Sequence, residues 1–493
     1  MVLPKWWSRL STGVAALLSP PSLELPPGLM TYPIAVEGGQ RRLHLRVDRE
    51  GAGTLFVDVT DVIHLNTTAT AMAKLALDKV PLTQARQLLL RSYSAVGSEQ
   101  LTRELGMVYE LIEQVSTADG CPTCAVASLV QFQPIFSTPV NAPFKADVAL
   151  TYACNNACAH CYNETGRLTM PSLALDDWRQ VLDTLAQVGV PHIILTGGEP
   201  TLHPELIAII RHANQLGQIV GMNTNGRRLS HLPTAEAIAA AGLNHVQITL
   251  ESCDAETHNR MVGAEAYAET VQGIKAALSA GLHTITNTTL TRLNQGQALE
   301  TIDFLHDLGL HTFAMNGMIY AGGGLSDPAA IPAGEMAALL SAVRDRADEL
   351  GMRFLWYTVT DYCQLSPLAL DLDPKRCNAA EYSICVEPNG DVLPCQSYYV
   401  PAGNLLRDPW DAIWNSDLFL SFRNRNTDPE GAGLPQQCWE CPDLEVCGGG
   451  CRLEHESHCG VRAAERGCAR ARVTPAQERE ALTTGRATGR SRA

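Results

Sequence analysis

Nowhere do the 493 residues contain an uninterrupted apolar run of about 18, the minimum for a membrane-crossing helix, so no membrane association is expected. Basic residues are also short: 37 Lys and Arg stand against 52 Asp and Glu, a net charge of −15. Such a field does not draw a chain to nucleic acid or to an anionic lipid surface, and neither is expected as a partner. Charged residues are only 18% while hydrophobic residues reach 45%, which excludes a disordered or fibrous chain. No segment repeats with a period of about 20–50 residues, so a solenoid or propeller is excluded too. The opening MVLPKWWSRLSTGVAALLSPP imitates a signal peptide, with Lys5 and Arg9 ahead of an apolar stretch at 13–18. That stretch is short, runs into Pro20 and Pro21 and lacks a small-residue cleavage site, so the protein is expected to remain in the cytoplasm.

Cysteine, by contrast, is abundant. Sixteen occur, most of them grouped at 154–161 and 377–468. In a long chain without a secretory signal this grouping indicates iron or zinc ligation rather than a disulfide framework.

The length suits two or three folded units. Alternation in LHLRV at 43–47 and the β-branched run at 54–65 predict a strand pair, and Asn66 then opens a helical pattern. Three short helices follow, marked by Met72, Leu75 and Leu77, by Leu88 to Leu90, and by Leu105, Val108 and Leu111. Residues 35–115 are therefore expected to form a small α+β module. Residues 116–144, with Pro122, Pro134, Pro139 and Pro143, are expected to be a linker. From residue 145 to about 350, six short apolar runs (ADVALTYA, HIILT, QIVGMNT, HVQITLE, HTITNTTLT, HTFAMN) alternate with helical stretches. Consecutive βα units of this kind predict an α/β fold with a parallel sheet curled into a partial (β/α)6 TIM-like barrel. Chemistry is then expected at the carboxyl ends of the strands. A cysteine-rich region at 370–470 and a polar, disordered tail at 471–493 complete the chain.

The first barrel strand ends in CNNACAHCY, with Cys154, Cys158 and Cys161 spaced C-x3-C-x2-C. Three thiolates on one short loop can hold three irons of a [4Fe–4S] cube and leave the fourth open to a ligand. A zinc site, or a four-cysteine cluster with its last ligand elsewhere, is the alternative. The spacing, Tyr162 directly after the third cysteine, and the barrel pattern together resemble the radical S-adenosylmethionine (SAM) superfamily. Gly197, Gly198, Glu199 and Pro200 at the end of the second strand are similar to that family's glycine-glycine-glutamate segment, which receives the SAM ammonium. The glycine pair would let main chain approach a bound ligand closely. The resemblance further implies SAM contacts at Asn225 in MNTNG, at Thr249 and Arg260 for the carboxylate, and at Asn287 for the ribose. The bland alternative for each is a strand cap or a surface residue. It also implies that the open iron chelates SAM, that one electron splits the sulfonium, and that the resulting 5′-deoxyadenosyl radical abstracts hydrogen from a C–H bond.

Further on, GDVLPC places Cys395 as G-x4-C after Cys377, and Cys438, Cys441, Cys447 and Cys451 follow as C-x2-C-x5-C-x3-C, with Cys468 beyond. This resembles the seven-cysteine pattern of the SPASM domain, which carries two auxiliary [4Fe–4S] clusters. The resemblance implies one cluster on Cys377, Cys395 and Cys451 with Cys385 as fourth ligand, and another on Cys438, Cys441, Cys447 and Cys468, for which Cys459 competes. Zinc remains the alternative metal for the paired C-x2-C groups. Five cysteines are left over: Cys121, Cys124, Cys253, Cys363 and Cys459.

The order of strands and helices in the amino-terminal module is similar to the winged-helix-like, PqqD-like (RRE-like) peptide-recognition elements of enzymes that mature ribosomally made peptides. Such modules pair a leader peptide with a strand edge. The resemblance thus implies a radical SAM/SPASM peptide maturase acting on a precursor peptide with a leader, with electrons supplied by a flavodoxin or ferredoxin. Crosslinking, epimerisation and backbone excision all remain open. Alternatives are maturation of a small cofactor such as a modified haem, anaerobic sulfatase maturation, and a non-enzymatic leader-binding scaffold or electron carrier. Gln396 stands where the sulfatase-maturing family has an aspartate, which argues against that alternative.

Overall fold

In the computed structural model the described residues are 23, 25–36, 39–58, 61–93, 97–117, 136 and 140–454. The signal-like amino terminus, Cys121, Cys124, Cys459, Cys468, most of the expected linker and the tail lie outside them. The chain divides into two units, residues 1–131 and 132–493.

Side-chain alternation builds the first unit. Strands β1 (Gly28–Val36), β2 (Gly39–Val47), β3 (Gly53–Val57) and β4 (Asp61–Leu65) form an antiparallel meander in that order. Leu43, Leu45, Val47, Leu55, Val57, Ile63 and Leu65 point to one face. They pack on apolar stripes of α1 (Thr67–Leu77), α2 (Leu82–Ser92) and α3 (Ser98–Val115), including Met72, Leu89 and Leu105. Asn66 caps α1, its side chain accepting from the Ala69 amide at 2.9 Å. The three helices match expectation, whereas the sheet has four strands instead of two. The run 54–65 breaks at Asp58, which takes a left-handed φ of 48° and turns the chain back. β1 begins ahead of residue 35 and escaped notice because it contains Pro33, which an edge strand tolerates.

The second unit holds a ten-stranded sheet. Its parallel part runs in chain order: β5 (Lys145–Thr151), β6 (His192–Gly197), β7 (Ile219–Thr224), β8 (His245–Thr249), β9 (His283–Thr289), β10 (Thr312–Asn316) and β11 (Arg353–Trp356). The six expected strands are all present, and β11 extends the sheet by one. On the other side β12 (Ser383–Val386), from the cysteine-rich region, pairs in parallel with β5, followed by β13 (Asp391–Leu393) and β14 (Gly403–Asn404). The helices α4 (Leu175–Gln187), α5 (Leu206–Gln215), α6 (Leu232–Ala241), α7 (Ala255–Val262), α8 (Tyr267–Ser279), α9 (Ala298–Asp307) and α10 (Ala333–Glu349) connect the strands.

Ala146, Val148, Leu150, Ile193, Leu195, Val220, Met222, Val246, Ile248, Phe313 and Met315 form the main core with Trp178, Ile209, Ile274 and Leu340 of the helices. Because strand side chains alternate, the neighbouring positions line the opposite, inner face. They include the polar residues Lys145, Asp147, Thr196, Asn223, Gln247, Thr249, Asn287 and Asn316, beside Ala149, Ile194, Ile285 and Ala314.

At the amino-terminal end of the sheet, His192 of β6 and His245 of β8 meet over β7, with Nε2 atoms 2.8 Å apart. Gly221 makes this possible, since a Cβ there would lie 2.1 Å from the His245 ring. One imidazole must donate and the other accept across this contact. Burial, with the charges of His283 and Lys145, lowers the His245 pKa to about 4. The unfolded chain therefore takes up a proton that the fold refuses between the usual imidazole pKa and about 4. Stability from this site is complete above about pH 6.5 and is expected to fall by about 1–3 kcal/mol on acidification to about pH 4. His245→Gln should flatten that part of the profile relative to the parent, measured by urea unfolding across this window.

Candidate active site

The loop leaving β5 carries Cys154, Cys158 and Cys161 and has almost no regular structure of its own. Its shape comes from main chain pressed against it on several sides. The Gly198 amide donates to Thr151 O at 2.7 Å and the Glu199 amide to Ala153 O at 2.9 Å. A Cβ on Gly197 would fall 2.3 Å from Thr151 O, and one on Gly198 would fall 2.4 Å from Ala153 O. The close approach that this glycine pair permits is thus to the cysteine loop itself. At the far side, the end of α7 takes hydrogen bonds from the Ala157 and Ala159 amides through Val262 O and Met261 O. There Gly263, at φ 64°, leaves no room for a side chain against Ala157 O. After β10, the Gly323 amide donates to Cys161 O at 2.7 Å, and a Cβ on Gly323 would overlap Ala159 O.

Side chains complete the clamp. Arg227 donates to Asn155 O and to Asn156 Oδ1 while pairing with Glu269. Asn225 donates to Asn155 Oδ1 at 2.7 Å. Glu199, 1% exposed, accepts from Thr201 N and Oγ1, Thr224 Oγ1 and Asn225 N, so its carboxylate ties together the ends of β6 and β7. Across the sheet Glu251, also 1% exposed, accepts from Thr289 N at 2.7 Å and meets His160 Nε2 at 3.0 Å. Burial opposes protonation of His160, but the Glu251 carboxylate outweighs it and raises the imidazole pKa.

Cys154 is exposed, and Cys158 and Cys161 are half-buried. Burial raises the pKa of all three; Glu251, Cys161 and Cys154 add to the rise at Cys158, and Glu199 and Cys161 add to it at Cys154. Three thiolates together among acids are untenable without a compensating cation, which suits a polynuclear iron group. No three His, Cys, Asp or Glu side chains converge tightly enough for a single ion among the described residues. A cubane does not require that, because each thiolate takes its own iron.

The other expected ligand-contacting residues fall as follows. Tyr162 is half-buried, with its phenol directed at Thr196. Pro200 starts a buried single turn at Pro200–Leu202. Thr249 and Asn287 are cross-strand partners on the inner face. Asn287 Oδ1 and, on the next strand, Asn316 Oδ1 are buried without a hydrogen bond. Two such acceptors at the carboxyl end of the sheet suit a ligand bearing ammonium or hydroxyl donors. Arg260 is exposed on α7, next to the two carbonyls that hold the cysteine loop. His258 instead accepts from the Glu251 amide at 3.2 Å and stacks edge-on with Tyr267, a structural role.

Arg227, Glu269, Asn155, Gly263 and Gly323 were not read from the sequence. Only the AGGG run after the sixth strand offered a signal. An arginine after NTNG looks like any surface cation until its partners are known.

The carboxyl-terminal thiols form a second group. Burial and then Cys377 push Cys395 up to about 12, and burial, Cys377 and Cys395 raise Cys451. Cys385 is raised by burial and then by Asp147, Glu387 and Cys395. Cys377, Cys395 and Cys451 are therefore close enough to feel one another's charge, and Cys385 to feel that of Cys395. Cys438, Cys441 and Cys447 belong to a separate segment, where Cys447 accepts from the Tyr362 amide at 3.4 Å. Between Cys447 and Cys451, Gly448, Gly449 and Gly450 all adopt left-handed φ, of 67°, 74° and 75°, which glycine takes without steric cost.

Comparison with known proteins agrees with this geometry. Residues 148–319 match the Radical SAM superfamily and residues 377–442 match SPASM, an iron-sulfur cluster-binding domain. A PqqA peptide cyclase of Streptomyces rochei is 31% identical over 337 residues, covering 66% of this chain and 88% of that protein. The chain belongs to the radical SAM superfamily. Membership brings with it SAM and [4Fe–4S] clusters as cofactors and an enzymatic role. A second relative within the superfamily, the AdoMet-dependent heme synthase of Methanosarcina barkeri, is 27% identical and spans 65% of this chain and 97% of its own. In fold the chain is similar to Streptococcus suis SuiB, solved with S-adenosylmethionine, at TM-score 0.61 and 16% identity over 84% of this chain and 95% of that one. SuiB has also been solved with its precursor peptide SuiA.

Among the described residues of this radical SAM protein no helix is long and apolar enough to cross a membrane. Arg227→Ala would release the cysteine loop from Asn155 and Asn156. It is expected to speed chelator-driven loss of iron from the reconstituted protein by about tenfold, followed as decay of visible absorbance. The unfolding midpoint should change by the equivalent of about 1 kcal/mol or less, because the Arg227–Glu269 pair is partly exposed.

Proposed function

We propose that this protein uses SAM and a reduced [4Fe–4S] cluster to abstract hydrogen from a ribosomally made precursor peptide and so install a modification. The observation that carries the reading is the rigidly clamped three-cysteine loop, with no fourth ligand on it, facing a polar inner sheet. The similarity to PqqA peptide cyclase over 337 residues supports a peptide as the substrate.

In this reading Cys154, Cys158 and Cys161 hold the SAM-binding cluster. Cys377, Cys385, Cys395 and Cys451 hold one auxiliary cluster, and Cys438, Cys441, Cys447 and Cys468 the other. The cluster, when bound, supplies the electron that splits SAM and begins the radical chemistry. The chain's own contribution is placement. Gly197, Gly198 and Glu199 fix the loop against β6, Thr249 and Asn287 present polar groups on the inner face, and Arg260 offers a cation at the rim. Tyr162, Pro200 and Asn225 complete the SAM surroundings. A flavodoxin or ferredoxin in the cytoplasm delivers the electrons.

The first unit, residues 35–115 with the strand that precedes them, serves as a winged-helix-like, PqqD-like module for the leader. The linker at 116–144 joins it to the barrel at 145–350 and the SPASM region at 370–470. Its sheet has β1 and β4 as edges, and a strand edge can recruit an extended peptide through main-chain hydrogen bonds. The likeness to SuiB covers a share of the chain that residues 132–493 alone could not supply, so it takes in part of this unit. A second reading, maturation of a small cofactor, draws on the similarity to the heme synthase; it gives no task to the first unit.

Replacing Cys154, Cys158 and Cys161 together by Ala is expected to abolish 5′-deoxyadenosine formation while leaving binding of a precursor peptide within about twofold of the parent. Chromatography of the nucleoside products and fluorescence anisotropy of a labelled leader give the two readouts. Surviving SAM cleavage would refute the ligand set, and absence of any leader binding by the parent would favour the small-cofactor reading.

A further inference from the structure

The segment that follows Cys395 reaches back to the SAM-binding loop. Tyr399 donates its hydroxyl hydrogen to Tyr162 O, 3.2 Å away, or to Asn163 Oδ1, 3.1 Å away. Asn163, 8% exposed, in turn donates to Gly197 O at 2.9 Å. One phenol from the cysteine-rich region thus contacts both the residue after Cys161 and, through Asn163, the first glycine of the clamp. The Tyr399 ring is covered by the Arg167 guanidinium, whose carbon lies 4.0 Å from the ring centroid. Arg167 pairs with Glu387, which is 2% exposed and accepts from the Tyr152 hydroxyl at 2.8 Å. Glu387 stands two residues after Cys385, and Tyr152 packs with Cys385 and Tyr399 in one small apolar cluster. Tyr399 is near enough to both Cys161 and Cys385 for each thiol to act on it electrostatically.

We propose that Tyr399 is a positioning residue that couples the auxiliary iron–sulfur site to the SAM-binding loop, so that an assembled auxiliary cluster fixes the geometry of the loop holding SAM. The inference rests on the ligand sets of the proposed function. Cys385 lies within β12, Cys395 follows β13 of the same hairpin, and Tyr399 comes four residues after Cys395. Anchoring those two thiols on one metal group immobilises the hairpin and with it the phenol. The phenol then holds the Tyr162 carbonyl and the Asn163 amide, and through them Cys161 and Gly197 O. Fixing these groups in advance spares the loop an ordering cost when SAM binds. Arg167 and Glu387 act as a brace, since a cation on the ring face and a buried carboxylate behind it leave the phenol little freedom.

The test uses the anaerobically reconstituted full chain. Tyr399→Phe removes the hydroxyl and keeps the ring under Arg167. Its iron and sulfide content should match the parent, but the electron paramagnetic resonance spectrum of the reduced SAM-binding cluster should change in the presence of SAM. Peptide-independent SAM cleavage should slow by about tenfold. Tyr398→Phe is the control: it removes a neighbouring hydroxyl of the same segment and keeps the ring that packs edge-on against Phe422 at 5.2 Å. With its ring contact to Phe422 preserved, this variant is expected to leave both readouts at parent values. Should Tyr399→Phe fail to hold its clusters, Arg167→Gln, which removes the brace but retains the hydroxyl, should still alter the SAM-dependent spectrum. A parent-like spectrum and rate in Tyr399→Phe would overturn the coupling, as would equal changes in Tyr398→Phe. A parent protein whose spectrum ignores added SAM would instead sink the ligand assignment on which the inference stands.

Discussion

Close contact between main chains, made possible by missing side chains, is the constraint from which the rest of the site follows. The cysteine loop has too few internal hydrogen bonds to keep a shape, and a loose loop would have to be ordered each time it bound its metal group. Gly198, Gly263 and Gly323 remove that difficulty from three directions, each bringing a neighbouring segment to a distance at which a Cβ would overlap a loop carbonyl. The amides of Gly198, Glu199 and Gly323 and the carbonyls of Met261 and Val262 then hold the loop. These contacts engage backbone, so they leave the thiols themselves unengaged by the frame and available to a metal.

The inner face of the sheet behaves differently from its outer face for a related reason. Helices seal the outer side, so Leu195, Val246 and Phe313 sit in hydrocarbon and define the register. The inner side carries Thr, Asn and Gln among smaller and apolar residues, and these polar groups can orient a polar ligand where a purely apolar wall could not. Buried carboxylates are placed with corresponding economy: Glu199 is saturated by hydroxyls and amides, and Glu251 is met by His160 and an amide. Each carboxylate joins the end of one strand to the next, which makes them struts of the site. For Glu199 this is a different emphasis from the sequence reading, in which the carboxylate faced the SAM ammonium.

Periodicity made most of the fold legible. The six runs from ADVALT to HTFAMN each became a parallel strand, and Asn66 capped the helix it was expected to open, because these signals are local. What escaped had a non-local cause. β1 carries a proline that weakens its strand signal, and the break at Asp58 depends on one residue adopting a left-handed φ. In the site, the cysteines and the Gly197–Glu199 segment were visible from spacing. Arg227, Asn163 and Tyr399 were not, since their partners lie between 34 and 237 residues away in the chain. Nothing in a run such as QSYY separates the tyrosine that reaches the loop from the one that packs on a phenylalanine.

In the proposed function, radical initiation and leader recognition occupy different parts of this chain. The PqqA peptide cyclase relative matches 66% of it, and the superfamily and SPASM matches fall wholly within residues 148–442. That stretch contains every residue of the clamp and the bridge at Tyr399. The four-stranded unit with its three helices lies outside those two matches and has its own hydrophobic core, so it can change its partner without disturbing Leu195 or the cysteine loop. In the proposed function the chemistry thus belongs to residues 132–493 and leader selection to residues 1–131. In that reading a peptide held by the four-stranded unit must still be oriented at the inner face of the sheet, so discrimination at the reacting atom depends on that face and not on leader affinity.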